Sequence, residues 1–376
     1  MSLNQVPLFA HRIMPKNISD DMKKYFAALS ILIFIFIFSV AENLQQKKGS
    51  AKPLKSAANS GDLKLLNEAR LYFKPLPKTV DNPANPITVN KVLLGRYLYN
   101  DPRLSATVNS SCNSCHVLKN FGVDHIQTSE GGMKKVGNRN APTTFNAALH
   151  FTQFWDGRAK TIEDQAGGPI LNVNEMAIPS KEYLEKKIRQ INLYKTLFPK
   201  AFPNEKNPIS FLNIEKAIAA FERTLLTPSK FDDFLKGNVN ALNSDEKKGL
   251  KTFITVGCTN CHNGVAIGGN TFQKFGLFAD YRKFTKSTIP DEGRKNITKK
   301  MEDKDYFKVP SLRNVAHTYP YFHDGSIAEL PTAVRIMGKI QLNKDLNEDE
   351  VNEIIDFLRT LSGDISDEAK KVPDSF

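Results

Sequence analysis

Two short runs of one form constrain this chain more than any other feature of its sequence. Residues 112–116 and residues 258–262 both read C-x-x-C-H. Two thiols at this spacing can add to the two vinyl groups of one haem, and the His that follows then lies where its imidazole can bind the iron. The sequence therefore predicts two covalent c-type haems. Their attachment thiols are Cys112, Cys115, Cys258 and Cys261.

Zinc binding and dithiol redox chemistry are the alternative interpretations of such runs. Tetrahedral zinc needs four ligands, usually with a second Cys or His pair at short spacing, and neither run has such a pair nearby. A thioredoxin-like dithiol is expected beside a βαβ pattern and does not require His in the next position. The chain has four Cys in all, so the two runs leave none for structural disulfides.

The periodicity of the chain favours a mainly α fold of two cytochrome c-like domains, each with one c-type haem, long loops and few short strands. The length of 376 residues suits two domains of ordinary size. Thr227 and Pro228 interrupt a helical pattern. The predicted boundary therefore separates an N-terminal haem domain at 61–226 from a C-terminal one at 227–376. Apart from the two haem runs, the sequence suggests no repeat. Apolar periodicity predicts helices at 62–73, 90–99, 161–166, 180–198 and 213–226, from 244 to the second haem run, and from 347 onward. Asn90 and Ser244 are predicted to cap two of these helices, and Asn347 with Glu350 is predicted to begin the last one as a capping box.

An apolar segment at 25–40 follows two lysines and ends before small residues. It is about 16 residues long, whereas a membrane span needs about 20. Residues 1–41 are therefore predicted to be a secretory signal peptide, with Met22 as an alternative start and an uncleaved anchor as the alternative role. Residues 42–60 are polar, which is typical of a flexible leader. Because covalent haem attachment takes place outside the bacterial cytoplasm, we expect a periplasmic protein.

The chain is basic, with a formal net charge of +12. Such a charge can serve nucleic-acid binding, but aromatic and basic residues do not interleave in any recognisable nucleic-acid motif. No nucleic-acid partner is therefore predicted. Electrostatic steering of an acidic electron-donor protein is one use of this charge, and solubility alone is the other.

Four further stretches share their order with a known family. They read D-P-R-L-S at 101–105, R-N-A-P-T at 139–143, F-W-D-G-R at 154–158, and P-Y-F-H-D-G at 320–325 followed by I-M-G at 336–338. Together with both haem runs, they closely resemble the bacterial di-haem cytochrome c peroxidases. The resemblance implies an enzyme that reduces hydrogen peroxide to water, with a peroxidatic haem in the N-terminal domain and an electron-transfer haem in the C-terminal domain.

The resemblance assigns axial ligands to both irons. His116 is implied as the proximal ligand of the first haem, and His262 and Met337 as the two axial ligands of the second. A thioether ligand stabilises ferrous iron and raises the reduction potential. Without the family context, Met337 would be an ordinary core residue. The other histidines beyond the leader, which are candidate sixth ligands by residue type, are His125, His150, His317 and His323.

Three residues match catalytic positions of the family. Trp155, the only Trp of the chain, matches the residue that lies between the two haems and helps electrons pass, although packing alone is its other interpretation. Glu175 matches the distal carboxylate that moves a proton during peroxide cleavage, and Gln165 its neighbouring amide. Judged by its polar surroundings alone, Glu175 would be a surface residue. Asp156 and Arg158 are expected to brace Trp155 or the haem propionates.

Members of the family hold a calcium ion between the domains through an Asn side chain and main-chain carbonyl groups. Asn140, Thr318 and Pro320 occupy the matching positions, and oxygen ligands of this kind suit calcium. Because it stands close before Pro142, Asn140 could equally be a turn residue. The resemblance also implies a homodimer and a small electron-donor protein, either a cytochrome c or a copper protein.

One loop departs from the family pattern. Many members have a His after the first haem run that blocks the peroxidatic iron until the second haem is reduced, and Gly132 takes that position here. Three states follow for the first iron: it is open at rest, Met133 binds it, or His125 swings in. Glycine provides no ligand and Met133 is displaced by one residue. We therefore favour the open site and an enzyme that needs no reductive activation.

Two other functions remain as alternatives. A protein-modifying di-haem oxidase of the related type uses Tyr at the second haem, where this chain has Met337. A pure electron carrier with both irons capped would have no use for Glu175 and Gln165.

Overall fold

The computed structural model describes residues 59–373 as a mainly helical structure. The predicted signal peptide and all but the last two residues of the predicted leader lie outside the described residues. Within 59–373, no helix is both long enough and apolar enough to cross a membrane. The helices are α1 (Ser60–Tyr72), α2 (Val89–Asn100), α3 (Cys112–Cys115), α4 (Ile162–Leu171), α5 (Lys181–Ile188), α6 (Asn192–Ala201), α7 (Phe211–Glu222), α8 (Lys230–Leu235), α9 (Ser244–Val256), α10 (Arg282–Thr285), α11 (Lys295–Thr298), α12 (Leu330–Leu342), α13 (Glu348–Arg359) and α14 (Asp367–Lys370). Two short strands, β1 (Phe272–Lys274) and β2 (Tyr306–Lys308), pair antiparallel. The prediction of a mainly α fold with few short strands is confirmed.

Side-chain caps define where several helices begin. Thr88, rather than the predicted Asn90, caps α2, because its side chain accepts the N–H of Lys91 at 3.2 Å. Asn243, rather than Ser244, caps α9 in a capping box with Glu246. The capping box predicted for Asn347 and Glu350 is confirmed at α13.

Two predicted helices have different limits in the structure. The helix predicted at 180–198 is two helices, α5 and α6, because Ile191 between them is extended, with φ −90° and ψ 116°. Its apolar spacing runs on across the break, which is why the sequence suggests one helix. The helix predicted at 161–166 extends to Leu171 and contains Pro169.

The first hydrophobic core forms where α2 crosses α7. A Cβ on Gly95 would lie 2.0 Å from the carbonyl oxygen of Ala217, so no other residue permits this close approach. Leu94 and Leu98 of α2 are fully buried there together with Phe221 of α7. The crossing places α2 directly before the segment that leads into the first haem run.

The second hydrophobic core repeats this arrangement with α9 and α13. A Cβ on Gly249 would lie 2.0 Å from the carbonyl oxygen of Glu353. The buried rings of Phe253 and Phe357 meet there with centroids 5.0 Å apart. In both cores, therefore, a helix that precedes a haem run packs closely against a later helix through a glycine.

The first and last helices each pack against the core formed by the other half of the chain. Leu66 and Ala69 of α1 belong to the second core, and Phe73 meets Phe231 edge to face at 5.4 Å. Ala369 of α14 belongs to the first core. The first helix thus packs outside the N-terminal domain predicted at 61–226, since its amphipathic pattern fixes which face is buried but not against which partner. The predicted domain limits themselves stay predictions.

A second repeat accompanies the haem runs, so the expectation that none exists was wrong. Residues 146–159 and residues 314–327 form loops with the same backbone pattern. Each loop starts at an Asn with φ near 61° and is closed by an antiparallel bridge. The bridge joins Gln153 to Ala159 in the first loop and Tyr321 to Ile327 in the second. The helices that follow, α4 and α12, also begin 168 residues apart, at 162 and 330. The haem runs are only 146 residues apart, from 112 to 258. This unequal spacing hides the repeat in the sequence.

A buried hydrogen-bond cluster joins the two copies of this loop. The Oγ1 of Thr227 accepts the Nδ2–H of Asn146 at 2.8 Å and that of Asn314 at 2.9 Å. The Oδ1 of Asn146 accepts the backbone N–H of Thr227, and the Oδ1 of Asn314 accepts that of Gly363. All three side chains are almost completely buried. The hydroxyl of Thr227 is therefore the shared acceptor of both halves.

Replacing Thr227 by Val is expected to lower the free energy of unfolding by about 2–6 kcal/mol. Val keeps the shape but removes the acceptor of two buried amides, and each buried donor left unpaired costs about 1–3 kcal/mol. Chemical denaturation of the haem-loaded protein measures the change. Thr224→Val is the control, because Thr224 is exposed and its hydroxyl bonds only to the carbonyl of Phe221 at a helix end. Equal effects of the two substitutions would contradict the role of Thr227.

Candidate functional site

One cavity gathers the first haem run and the predicted catalytic side chains. Cys112, Cys115 and His116 line it together with Gln165 and Glu175. Its empty space is about 1890 Å³, part of it open to solvent. The structure thus brings together residues that lie more than sixty positions apart in the chain, and it leaves both thiols free.

A second cavity gathers the second haem run and Met337. It has about 1200 Å³ of empty space, and Cys258, Cys261 and His262 line it with the Met337 side chain of α12. Burial lowers the pKa of His262 to about 4, so its imidazole is neutral. Its Nδ1 lies 3.3 Å from the carbonyl oxygen of Ile267. An Nδ1–H donated there leaves the lone pair of Nε2 for a metal.

Both cavities fit the c-type haem that their sequences predict. Each contains a pair of free thiols at attachment spacing and a His whose pKa is lowered because its ring is withdrawn from water, which keeps a neutral nitrogen ligand. Each also contains a buried imidazole nitrogen without a protein partner, Nε2 of His150 in the first and Nε2 of His323 in the second. Thiols, iron ligands and free polar atoms are the groups that a haem with two propionates requires.

Trp155 lies in the wall between the two cavities and lines both. Its indole Nε1 donates a hydrogen bond to the carbonyl oxygen of Asn140 at 3.0 Å. Its own carbonyl oxygen accepts the backbone N–H of Lys308 at 2.7 Å. This second hydrogen bond joins Trp155 to the main chain of β2, which belongs to the other half of the molecule. The indole is therefore fixed from both sides between the two cavities, and its part in an electron path stays a prediction.

Ion pairs surround the Trp155 loop, as expected for Asp156 and Arg158. Buried Asp156 binds Arg139 at 2.6 Å and Arg158 at 3.2 Å. Arg139 also binds Asp291 at 2.6 Å, which links the two halves of the molecule. The guanidinium of Arg158 stacks on the ring of Phe154 at 3.5 Å and lines the first cavity.

Glu175 lies on a tight turn that follows α4. The turn is closed by the backbone N–H of Glu175, which donates to the carbonyl of Asn172 at 2.9 Å. The side-chain amide of Asn172 donates to Oε1 of Glu175 at 2.6 Å. Burial raises the pKa of Glu175, while this hydrogen bond and the charge of Arg158 oppose the rise. The side chain is half-buried and lines the cavity, in contrast to the surface position that its local sequence suggests.

The loop with Gly132 is held against this turn by its main chain. The backbone N–H of Gly132 donates to the carbonyl of Glu175 at 2.7 Å. Its carbonyl accepts hydrogen bonds from Oγ1 of Thr107 at 2.8 Å and from Nδ2 of Asn109 at 3.0 Å. Met133 points away, with half of its surface exposed.

Met133 and His125, the two alternatives predicted for the sixth ligand of the first haem, do not line the first cavity, whereas His150, another candidate by residue type, does. Met133 is among the exposed residues, and His125 stacks on Tyr319 with ring centroids 4.1 Å apart. The Nδ1 of His125 lies 3.0 Å from the carbonyl oxygen of Tyr319. In this conformation His125 is engaged with Tyr319, and Met133 is exposed outside the cavity.

The residues predicted to bind calcium come from two loops that meet. The backbone N–H of Asn140 donates to the carbonyl of His323 at 2.8 Å, in the loop that also contains Thr318 and Pro320. The Nδ2 of Asn140 donates to the carbonyl of Ile126, which leaves Oδ1 as its free oxygen. Within residues 59–373, no group of three or more His, Cys, Asp or Glu could hold a metal ion. A cation here would depend on neutral oxygen ligands.

Sequence reasoning missed one residue of the shared wall, Lys308. It is buried on β2 and lines both cavities. The only signal in the sequence is a Lys within the otherwise apolar run at 306–310. His323 was considered only as an iron ligand, yet its ring meets Trp155 edge to face at 6.4 Å.

Comparison with known proteins identifies the family. The family model for di-haem cytochrome c peroxidase matches residues 89–240. The cytochrome c551 peroxidase of Nitrosomonas europaea is 48% identical over 283 residues, which cover 75% of this chain and 83% of that protein. The cytochrome c551 peroxidase of Pseudomonas aeruginosa is 45% identical over 303 residues, which cover 80% of this chain and 86% of that protein.

A solved structure agrees with the sequence relatives. The crystal structure of a MauG-like protein associated with microbial copper homeostasis matches with a TM-score of 0.71 and 28% identity, covering 80% of this chain and 97% of that one. The order of the haem runs, the two cavities and the identity to peroxidases over three quarters of the chain lead to one conclusion. The chain belongs to the di-haem cytochrome c peroxidase family.

Proposed function

We propose that this di-haem peroxidase takes electrons from a small cytochrome c or copper protein in the periplasm, at the second haem, and passes them by Trp155 to the first haem, where hydrogen peroxide is reduced to water. The observation that carries the proposal is the position of Trp155 in the wall of both cavities, while Glu175 and Gln165 line only the first. Two electrons and two protons convert each peroxide into two waters.

The internal repeat supports different roles for the two haems. Pro169 of α4 and Met337 of α12 are 168 residues apart, so they occupy equivalent positions, and each lines its own cavity. Met337 offers a thioether beside His262, whereas Pro169 has no ligand atom. A bound haem supplies peroxide reduction where its iron keeps an open position and electron transfer where two side chains bind the iron.

Glu175 is the proton carrier of the proposed reaction. With a haem bound in the first cavity, the carboxylate of Glu175 would take a proton from one oxygen of the peroxide and return it to the other, which would leave as water. The hydrogen bond from Asn172 holds the carboxylate in the cavity, and burial raises its pKa towards the range of a general acid and base. Gln165 lines the same cavity, where its amide can orient the peroxide.

The remaining parts of the proposal concern location, the donor, calcium and assembly. Export to the periplasm follows from residues 1–41 and from the covalent haems, and the positive net charge suits an acidic electron donor. The calcium ion would bind Oδ1 of Asn140 and carbonyl groups of Thr318 and Pro320. A homodimer is proposed from the family resemblance alone.

Two alternative functions fit the site less well. The Tyr-ligated protein oxidase would need Tyr where Met337 lines the second cavity. A pure electron carrier would leave the half-buried Glu175, its raised pKa and its Asn172 hydrogen bond without a purpose.

Glu175→Gln is expected to lower peroxidase turnover by about two to four orders of magnitude, the usual contribution of a general acid and base. Steady-state assays with a reduced cytochrome c as donor measure it, after absorption spectra have established that both haems are present. Glu182→Gln is the control, since Glu182 is exposed at the start of α5. Turnover within about threefold of the control would refute the role of Glu175.

The fully oxidised protein is expected to have a high-spin first haem and to turn over peroxide without prior reduction. The reason is that the Gly132 loop, residues 129–134, lines the first cavity with Ser129 and Gly131 and with no His or Met side chain. EPR and absorption spectra of the oxidised protein measure the spin state, and Met133→Leu should leave them unchanged. A low-spin first haem together with a lag in turnover until reduction would contradict the open site.

Pro169→Met is expected to convert the first haem into a low-spin, six-coordinate centre and to abolish peroxide turnover. The substitution recreates in α4 the thioether that Met337 provides in α12. Pro169→Leu is the control, because it has similar bulk and no sulfur. Absorption spectra of the oxidised and reduced variants measure the ligation. Identical spectra for the two variants would show that a thioether at position 169 does not bind the first iron, although position 169 is equivalent to Met337 in the repeat.

A further inference from the structure

Lys308 is buried, and among residues 59–373 its ammonium has no charged hydrogen-bond partner. Only 7% of its surface is exposed. Its Nζ lies 3.1 Å from Nδ1 of His150 and 3.1 Å from the carbonyl oxygen of Thr152, both uncharged groups. Asp156, the carboxylate whose charge acts on Lys308, is already paired with Arg139 and Arg158. Burial lowers the pKa of Lys308 to about 7. An ammonium group in such a place is stable only with a further anionic partner.

His150 continues the line of donors from Lys308 into the first cavity. When Lys308 is protonated, its ammonium donates to Nδ1 of His150, which places the ring proton on Nε2. That Nε2 is buried and has no protein partner. The ring is also fixed in place, because a Cβ on Gly269 would lie 2.3 Å from its Cδ2. The Nε2–H of His150 therefore has a fixed direction, and the positive charge of Lys308 lies on the opposite side of the ring.

The two side chains identify the cavity that would contain the missing anion. Lys308 lines both cavities, but His150 lines only the first. A buried N–H donor and a buried ammonium together bind an anionic oxygen, and a carboxylate can accept from both. The haem that the first cavity fits has two such carboxylates.

We propose that Lys308 and His150 form a clamp that binds a propionate of the first haem and fixes that haem beside Trp155. The proposal rests on a haem in the first cavity, and it does not depend on which reaction that haem performs. The backbone N–H of Lys308 donates to the carbonyl of Trp155 at 2.7 Å, so one residue positions both the propionate and the indole. Lys308 and His150 are positioning residues in this scheme.

The clamp has an electrostatic consequence. A positive charge at the propionate favours the reduced iron of the first haem, because reduction adds negative charge nearby. Low dielectric in the buried wall strengthens the effect. The clamp therefore raises the reduction potential of the first haem more than that of the second, and it draws electrons across Trp155.

Lys308→Met is expected to lower the reduction potential of the first haem by an amount equal to about a tenfold change in its electron-transfer equilibrium, which is about 59 mV for one electron. The second haem should change less, and Lys308→Arg should restore most of the loss. Potentiometric titration followed by absorption at both haems measures this without peroxide. Lys119→Met is the matched control, because Lys119 is exposed just after the first haem run.

Infrared difference spectra of protein with ¹³C-labelled haem propionates provide a second readout. His150→Leu removes the N–H donor and should shift the propionate bands, whereas His150→Gln retains a donor and should shift them less. Pyridine haemochrome assays first establish two haems per chain in every variant, so loss of haem is distinguished from loss of the clamp.

Three results would overturn the clamp. The first is an equal change of potential in Lys308→Met and Lys119→Met. The second is propionate bands that both Lys308→Met and His150→Leu leave unchanged. The third is a potential that depends on added acetate or chloride in the unmodified protein and not in Lys308→Met, which would assign the pair to a soluble anion. Failure of the Glu175→Gln prediction would leave these potentials unaffected, so the two proposals fail separately.

Discussion

The hydrogen bonds that hold Trp155 from both sides are the interaction on which the rest of the structure depends. Its indole N–H bonds to Asn140 at 3.0 Å and its carbonyl oxygen to the N–H of Lys308 at 2.7 Å. These two partners come from opposite halves of the molecule, so the indole keeps its place only while the halves stay together. The buried cluster at Thr227 and the ion pair between Arg139 and Asp291 maintain that contact. Stability of the junction and the proposed electron transfer between the cavities therefore depend on the same contacts.

The sequence predicted the features that depend on neighbouring residues in the chain, namely the haem runs, the helices and their caps. The C-x-x-C-H runs identify the haems, and the amphipathic helices and the capping box at Asn347 follow from spacing alone. The partner of each helix is a non-local property, which is why α1 was assigned to the first half although Phe73 packs against Phe231 of the second core. The break at Ile191 was missed because apolar spacing continues through it.

The candidate site was predictable only through the family resemblance, for physical reasons. Glu175 stands in a polar stretch of sequence. Its half-buried position arises from hydrogen bonds to Asn172 in the same turn and from the hydrogen bond that its carbonyl accepts from Gly132. The spacing of residues in the sequence reveals neither contact. Lys308 is the opposite case, since a charged residue on a short strand is ordinarily exposed. Its burial results from the pairing of β1 with β2 and from the ring of His150, which lies 158 positions away.

The repeat explains how one loop design serves two different haems. Trp155 and His323 occupy equivalent positions, 168 residues apart, and their rings meet at the junction, so the copies face each other where electrons would cross. The difference in chemistry comes from the helix that follows each loop. α12 contributes Met337 to its cavity, while α4 contributes Pro169 and then turns back to bring in Glu175. In the proposed function, a side chain that binds iron is thus exchanged for one that moves protons, while the symmetric junction between the two sites is retained.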